Sequence, residues 1–397
     1  MAYRVDPGPG CRTFAFVGAA AGAVLLSSVA VRGSNIATIG LSLNTVRAQD
    51  AARWSFGPFD CAAGQQLLPP QIAPVSVTLS EKDLVALLNR STPVAPIADA
   101  YGLTLPHPEK RAASADALKV IETGNVATPY LGVYHHNDGA DRFRTSFVGT
   151  RDFVRWQPLG DLGHAASMPD IRMLIDGSIL YADERNPSGR RPQITVRHYA
   201  GLAEFIAAPA HPSAVFALPR TRGATADGTP NFGRIAYNGD FRRSRIEVSH
   251  HYYAGGIHDQ NASGTLVGFQ TWRNPATSKL NQAFAELGYA QVGGREWFSV
   301  GGVSYALVEA RPHQTAGWDK WRIFLVNACT GRITPLAPKL IGGAASVGNP
   351  RLSFITLPDG RPGFAFSVYL FAEGAKATPP GSHFYVAPLP VAVSRPS

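Results

Sequence analysis

From about residue 110 to residue 393 the chain is broken into short runs rich in β-branched and aromatic residues, separated by Gly, Pro, Asn and Asp. Runs such as YLGVYHH (130–136), SILYADE (178–184), RIEVSHHYY (245–253), WRIFLVN (321–327) and GFAFSVYLF (363–371) have the length and composition of strands. Asp176-Gly177, Asn238-Gly239 and Asp359-Gly360 are hairpin signals, because Gly accepts the positive φ of a tight turn. With 40 Gly and 31 Pro in 397 residues, turns are supplied throughout. The order of elements also repeats. An inner run, a turn with Gly and a second apolar run ending in polar residues recur, with starts near Asp170, Asn231, Arg295 and Asn349, about 54–64 residues apart. A fifth unit precedes them, with 130–136 as its second strand. One such unit cannot bury both faces alone, so the units must close on one another. The expected fold is all-β, a five-bladed β-propeller over residues 110–393. A β-sandwich with long loops is the competing arrangement. One helix interrupts the series: Thr277 can cap it, Leu280, Phe284 and Leu287 share a face, and Gly288 stops it.

The N-terminus has the pattern of an export signal. Arg4 and Arg12 precede an uncharged apolar run of 18 residues (14–31), and Val46-Arg47-Ala48 offers a small-residue exit before Gln49. A retained membrane anchor is the alternative, since such a run just spans a bilayer. Residues 1–48 are thus expected as signal or anchor, and residues 49–109 as a short, partly helical extension. In the extension, Ser80-Glu81-Lys82-Asp83 followed by Leu84, Val85, Leu87 and Leu88 reads as a capped amphipathic helix. The expected location is secreted or periplasmic, with no membrane association unless the N-terminal segment is retained.

The net charge is +9, and removing residues 1–48, with four Arg and one Asp, leaves +6. The basic residues are scattered and not interleaved with aromatics, so a nucleic-acid partner is not expected. Of three cysteines, Cys11 lies in the signal; Cys61 and Cys329 remain for one disulfide or for two buried thiols. A monomer without cofactor is expected.

Thr150-Arg151-Asp152-Phe153-Val154-Arg155-Trp156 resembles the S-x-D-L-x-x-W outer-strand signature of the five-bladed propeller glycoside hydrolases, family 43 and its relatives. Met168-Pro169-Asp170-Ile171, with Asp176-Gly177-Ser178-Ile179-Leu180-Tyr181, resembles their next blade, in which an acidic residue opens the inner strand. The resemblance covers about 60 residues well and the other blades by rhythm. It implies three acidic residues: a base opening blade one, an acid in blade two that orients substrate and tunes pKa, and a Glu of blade three as proton donor. Asp170 matches the second by position, Asp116 is the nearest candidate for the first, and Glu247 lies mid-strand in blade three.

In an antiparallel meander the start of the inner strand and the end of the second strand share a face. His135-His136, Asp183-Glu184-Arg185, His250-His251 and Glu309-Ala310-Arg311 should therefore surround the axis together with Asp170, Asn231, Arg295-Glu296 and Asn349. Glycoside hydrolysis needs two carboxyl groups across the scissile bond. The preferred pair is Asp170, as base or orienting acid, and Glu184, as proton donor, with Glu309 third. His135, His136, Arg185, Asn231, His250, His251 and Arg311 are the candidate substrate-binding residues, and the partner is a carbohydrate or polysaccharide. Two inward His rings with Asp138 or Asp259 could hold zinc, but the chain lacks tight ligand spacing and no metal site is assigned. A non-catalytic propeller binding glycan or protein is one alternative. A sialidase-like enzyme gripping a carboxylate with Arg172, Arg185 and Arg311 is another.

Overall fold

The computed structural model describes residues 79–91, 94–109, 112–137, 143–186, 192–254, 257–313, 316–340, 346–371 and 381–390, and the backbone of three short paired strands within residues 2–31. The rest of the expected signal, the cut site at 46–49, Cys61 and Asp138 lie outside the described residues. Among the described residues no helix is long and apolar enough to cross a membrane.

Five four-stranded antiparallel sheets follow one another along the chain. Their inner strands are Asp116–Glu122, Ala166–Met173, Ala226–Ala236, Gln291–Val300 and Val347–Thr356, and each packs against the inner strands of both neighbours, the fifth against the first. The ring is therefore closed, and the sandwich alternative is excluded. The second strands are Tyr130–Asn137, Ile179–Arg185, Arg245–Ala254, Val303–Arg311 and Pro362–Leu370. The Asp-Gly and Asn-Gly signals lie where a turn must join inner to second strand, and Gly177, Gly239 and Gly360 take φ of 82, 90 and 83°.

Part of the N-terminal extension completes the ring. Strand Ala98–Tyr101 pairs with Gly381–Pro388 as the outermost strand of blade five, so the first and last parts of the propeller lock one another. Helix Glu81–Leu88 is capped as expected, Ser80 Oγ accepting the Asp83 N–H at 3.2 Å. Its Leu84, Leu87 and Leu88 enter the core between blades four and five. Cys329 is disulfide-bonded, and its partner lies outside the described residues.

Among the described residues the apolar core falls into five clusters: four lie at seams between neighbouring blades, and the fifth packs the helix Lys279–Glu286 against blade four. At the seam between blades three and four the helix Lys279–Glu286 inserts Leu280 and Phe284. Its cap is Ser278, whose Oγ accepts the Leu280 N–H, and not Thr277: that residue is still paired with Ala262 in the outer strand of blade three. The Thr150–Trp156 signature is the turn into the outer strand of blade one. Thr150 Oγ1 accepts the Asp152 and Phe153 N–H groups, Asp152 accepts those of Val154 and Arg155, and Phe153, at φ 61°, is buried.

Each inner strand breaks register against its second strand at the same place in every blade: between Asp116 and Lys119, Ser167 and Asp170, Gly228 and Asn231, Val292 and Arg295, and Gly348 and Arg351; that of blade three breaks a second time between Phe232 and Ile235. In four blades the first bulge residue takes positive φ: Ala117 (51°), Met168 (51°), Thr229 (46°) and Asn349 (49°). A bulge redirects the side chains that follow it. Those beyond it turn into the axis, and those at the bulge face the mouth of the ring. The equivalent of Asp170 in blade five is thus Arg351, two residues beyond the expected Asn349.

Candidate functional site

Two polar layers occupy the axis. The deeper one is closed. Lys119, Asp170, Arg172, Glu296 and Arg351, from blades one, two, four and five, are each 4% exposed or less. Arg172 donates from Nη1 to Asp170 at 2.7 Å and from Nη2 to Glu296 at 3.0 Å; Lys119 also donates to Glu296, and Arg351 Nη1 lies 3.7 Å from it. Blade three joins through its backbone, the Phe232 N–H donating to Asp170 Oδ2 at 2.7 Å. Burial works to raise the Asp170 carboxyl, but Arg172, Lys119 and Arg351 outweigh it and hold it below its ordinary value. Burial, together with the Arg172 charge, brings Lys119 down to about 8. Asp170, expected as base or orienting acid, is thus spent on this network, with no exposed surface to offer a substrate.

The shallower layer lies at the bulges, where the second strands end. His135 Nδ1 accepts the Met168 N–H of the next blade at 3.3 Å, Glu184 Oε2 accepts that of Thr229 at 3.4 Å, and Glu309 Oε2 accepts that of Asn349 at 2.5 Å. The polar residues that recur in the sequence at these strand ends therefore latch one blade to the strained bulge of the next. Asn349 closes the circuit, donating Nδ2 to both oxygens of Asp116 at 3.0 Å. Asp116 also accepts the Ala117 N–H at 2.6 Å and stands 3.4 Å from His135 Nε2. Its hydrogen-bond partners, Ala117 N–H and Asn349 Nδ2, are donors, which suits an acceptor or nucleophile.

The two glutamates differ. Glu309 is buried and cornered: a Cβ on Gly293, Gly294 or Gly348 would approach its carboxyl to 2.5, 3.1 or 2.6 Å, and it also accepts the Gly294 N–H at 2.6 Å. Glu184 keeps part of its surface open and has one long backbone donor. Its carboxyl fits beside His251 because residue 228 is glycine; a Cβ there would lie 2.6 Å from Glu184 Oε2 and 2.4 Å from His251 Nε2. Burial, with Asp259 nearby and against the pull of the backbone donors, raises both carboxyls to about 7; Asp183 contributes at Glu184, and Asp116 at Glu309. Burial, with Asp259, Glu184 and Glu309 nearby, likewise raises the Tyr253 hydroxyl. His251 Nδ1 lies 3.4 Å from Asp259.

One face thus brings together Glu184, Glu309, His135, His251 and Arg311 of the expected set. It also holds Asp116, Asp259 and Asn349, which the sequence marked outside the preferred set, and Tyr253. The remaining candidates point elsewhere. His136 contacts Ser146 and packs against His107 and Tyr134. Arg185 donates to Leu162 O at 2.9 Å and pairs with Asp183. His250 is 2.9 Å from Thr221 Oγ1 and 3.5 Å from Asp227. Asn231 is fully buried behind its bulge. The three arginines of the sialidase alternative share no partner: Arg172 serves the axial network, Arg185 the seam between blades one and two, and Arg311 donates to Gln291 and to Ala316 O. Among the described residues no group of three or more His, Cys, Asp and Glu is arranged to hold a metal ion.

No family model matches the chain, and no curated protein does. Solved structures do. An exo-1,5-alpha-L-arabinanase from a bovine ruminal metagenomic library is 12% identical, with TM-score 0.45, over 69% of this chain and 92% of that one. A protein described as a glycoside hydrolase is 11% identical, TM-score 0.47, over 81% and 99%. An alpha-L-arabinofuranosidase from Podospora anserina is 11% identical, TM-score 0.45, over 74% and 99%. The five-bladed assignment stands on the strand pairing of this chain and takes nothing from likeness at this level.

Proposed function

We propose that the protein is an exported glycoside hydrolase acting on a polysaccharide, with Glu184 as proton donor and Asp116 as the base or nucleophile. Glycoside hydrolysis requires two carboxyl groups in opposite protonation roles, one kept protonated by its surroundings. Glu184 carries this reading: it is desolvated and raised to about 7, yet open at the mouth and held by a single long backbone bond. A group with that pKa supplies a proton near neutrality and retrieves it afterwards. Asp116, which accepts from Asn349 and Ala117, is its counterpart, with His135 beside both. Glu309, bonded to two backbone N–H groups, positions blades four and five, and Asp170 holds the axis. Export is supported by the apolar run behind Arg12 and by the disulfide at Cys329, a bond that persists in oxidising compartments.

The test is reducing-sugar release from arabinans, xylans and galactans by the secreted protein and by Glu184→Gln, Asp116→Asn and Asp170→Asn. The first two variants lose hydrolysis while remaining folded. Full activity in either Glu184→Gln or Asp116→Asn would overturn its assigned role. A second reading, binding without catalysis, is favoured by the latch geometry, since Glu184 and Glu309 both serve neighbouring backbone. It predicts polysaccharide binding with no hydrolysis by any of the four proteins.

A further inference from the structure

The exposed large hydrophobic side chains include two aromatics, Trp318 at 48% and Phe143 at 40%. Both stand at the site face. Trp318 opens the short 3-10 helix Trp318–Lys320, just after the second strand of blade four ends at Arg311. Its ring lies 4.9 Å from Phe371 and 6.4 Å from Trp321, and the Arg311 guanidinium covers both indoles at 5.4 and 5.0 Å. Arg311 is fixed in turn by Gln291 Oε1 at 2.8 Å and Ala316 O at 3.1 Å, and Ser346 Oγ donates to Trp318 O at 2.5 Å. The indole is backed by Arg311 and Phe371, and about half of the residue's surface is exposed.

This surface is continuous with the carboxylate layer. A Cβ at Gly348 would touch Glu309 Oε2 (2.6 Å) and the Phe371 ring (2.7 Å); one at Gly293 would touch Glu309 Oε1 (2.5 Å) and the Trp321 ring (3.0 Å). The aromatic stack therefore abuts Glu309, and Glu309 leads through Asn349 to Asp116 and His135. At the far end of this arc Phe143 meets the His135 ring edge-on at 5.2 Å. In addition, the Trp321 indole N–H is buried and has no acceptor among the described residues.

We propose that Trp318, backed by Arg311 and Phe371, is a stacking platform for one sugar ring of an extended carbohydrate chain, which lies along the arc of blades four, five and one with Phe143 as its second aromatic contact. A flat apolar ring face beside a row of carboxyls and amides matches a sugar, which presents a C–H face and a hydroxyl rim; large exposed aromatics beside a polar cleft mark binding surfaces. The platform rests on the carbohydrate reading of the site but not on its catalytic step, because stacking needs neither Glu184 nor Asp116.

The test is native electrophoresis through gels cast with arabinan, xylan or galactan, run on the wild type, Trp318→Ala, Trp318→Leu, Trp318→Phe and Glu184→Gln, with thermal melts on each. Retardation of the wild type and of Glu184→Gln by at least one polymer is expected. Trp318→Ala and Trp318→Leu should bind that polymer about fivefold more weakly, and Trp318→Phe should recover most of the loss. Three results would overturn the platform: equal retardation of Trp318→Ala, retention by Trp318→Leu (a merely greasy surface), or no retardation of the wild type by any polymer. A change in sedimentation of Trp318→Ala without a change in retardation would assign the face to self-association and overturn the platform too. Hydrolysis by a wild type that no polymer retards would leave the catalytic reading standing while the platform falls; retardation without hydrolysis separates them the other way.

Discussion

Asp170→Asn separates scaffold from chemistry. The Asp170 carboxylate is fully buried and accepts from Arg172 Nη1 at 2.7 Å, Phe232 N at 2.7 Å and Ile171 N at 2.9 Å, with Lys119 Nζ at 3.9 Å. Asparagine fills nearly the same volume, but it has one acceptor oxygen and turns an NH₂ group toward a donor. It also leaves Lys119, Arg172 and Arg351 facing Glu296 as the one remaining acid of the network. Removing one partner of a buried ion pair costs about 3–5 kcal/mol. At about 2 °C per kcal/mol for a domain this large, the melting temperature should fall by about 6–10 °C. The pH dependence follows in sign. The folded carboxyl sits below its ordinary value, so its stabilisation is present above the unfolded pKa and is lost as pH falls through the folded one. That acid loss should be smaller in Asp170→Asn. The assay is reversible urea unfolding from pH 7 down to well below the ordinary carboxyl value of 3.8, where the loss falls, beside polysaccharide hydrolysis at pH 7. A variant as stable as the wild type but without hydrolysis would refute the scaffold assignment and return Asp170 to the chemistry.

Other outcomes follow from the same geometry. Gly228→Ala drives a methyl against Glu184 and His251 and should impair hydrolysis at a cost of about 1 kcal/mol or less, because both are side-chain ends that can yield; unchanged hydrolysis counts against the placement of Glu184. Gly348→Ala meets both the Glu309 carboxyl and the Phe371 ring and should cost about 1–3 kcal/mol in urea unfolding. The Glu309 carboxyl, raised to about 7, stabilises the fold fully below its unfolded pKa near 4.5 and loses that contribution as pH rises through 7. The decline in melting temperature between pH 5 and 8 should flatten in Glu309→Gln, and an unchanged slope would show that this carboxyl is not the source. Leu87→Ala empties part of the seam between blades four and five and should cost about 2–5 kcal/mol by the same unfolding assay.

Much of this architecture was legible in the chain, for identifiable reasons. Blade rhythm survives in sequence because a strand needs few residues and its turn needs glycine, as at Gly177, Gly239 and Gly360. The bulges were missed, although three of them, Met168-Pro169-Asp170, Thr229-Pro230-Asn231 and Asn349-Pro350-Arg351, share a residue at positive φ followed by proline and a polar residue. Blades one and four escape the pattern, with Ala117-Leu118-Lys119 and Gly293-Gly294-Arg295. Without them Lys119 went unseen as a partner of Asp170, and Glu296, expected at the axis, could not be linked to it through Lys119 and Arg172, so a scaffold carboxylate resembled a catalytic one. Neighbouring positions on a strand face opposite ways, which parted His135 from His136 and His251 from His250. The closing strand Ala98–Tyr101 was hidden because it pairs with a partner nearly three hundred residues away, across a loop closure that no local pattern records. Trp318 was hidden for a related reason: its exposure depends on Arg311, Phe371 and Trp321 meeting in space.

The pH–rate profile of Glu184→Gln tests the central claim most directly. With a polysaccharide found to be cleaved, the wild type should lose kcat/KM as pH rises through about 7, where its proton donor ionises. Glu184→Gln should lose that substrate at every pH. It should still cleave an aryl glycoside whose leaving group departs without a proton, now with no alkaline limb near 7. A variant that cleaves the polysaccharide at the wild-type rate with the same alkaline limb would contradict the account.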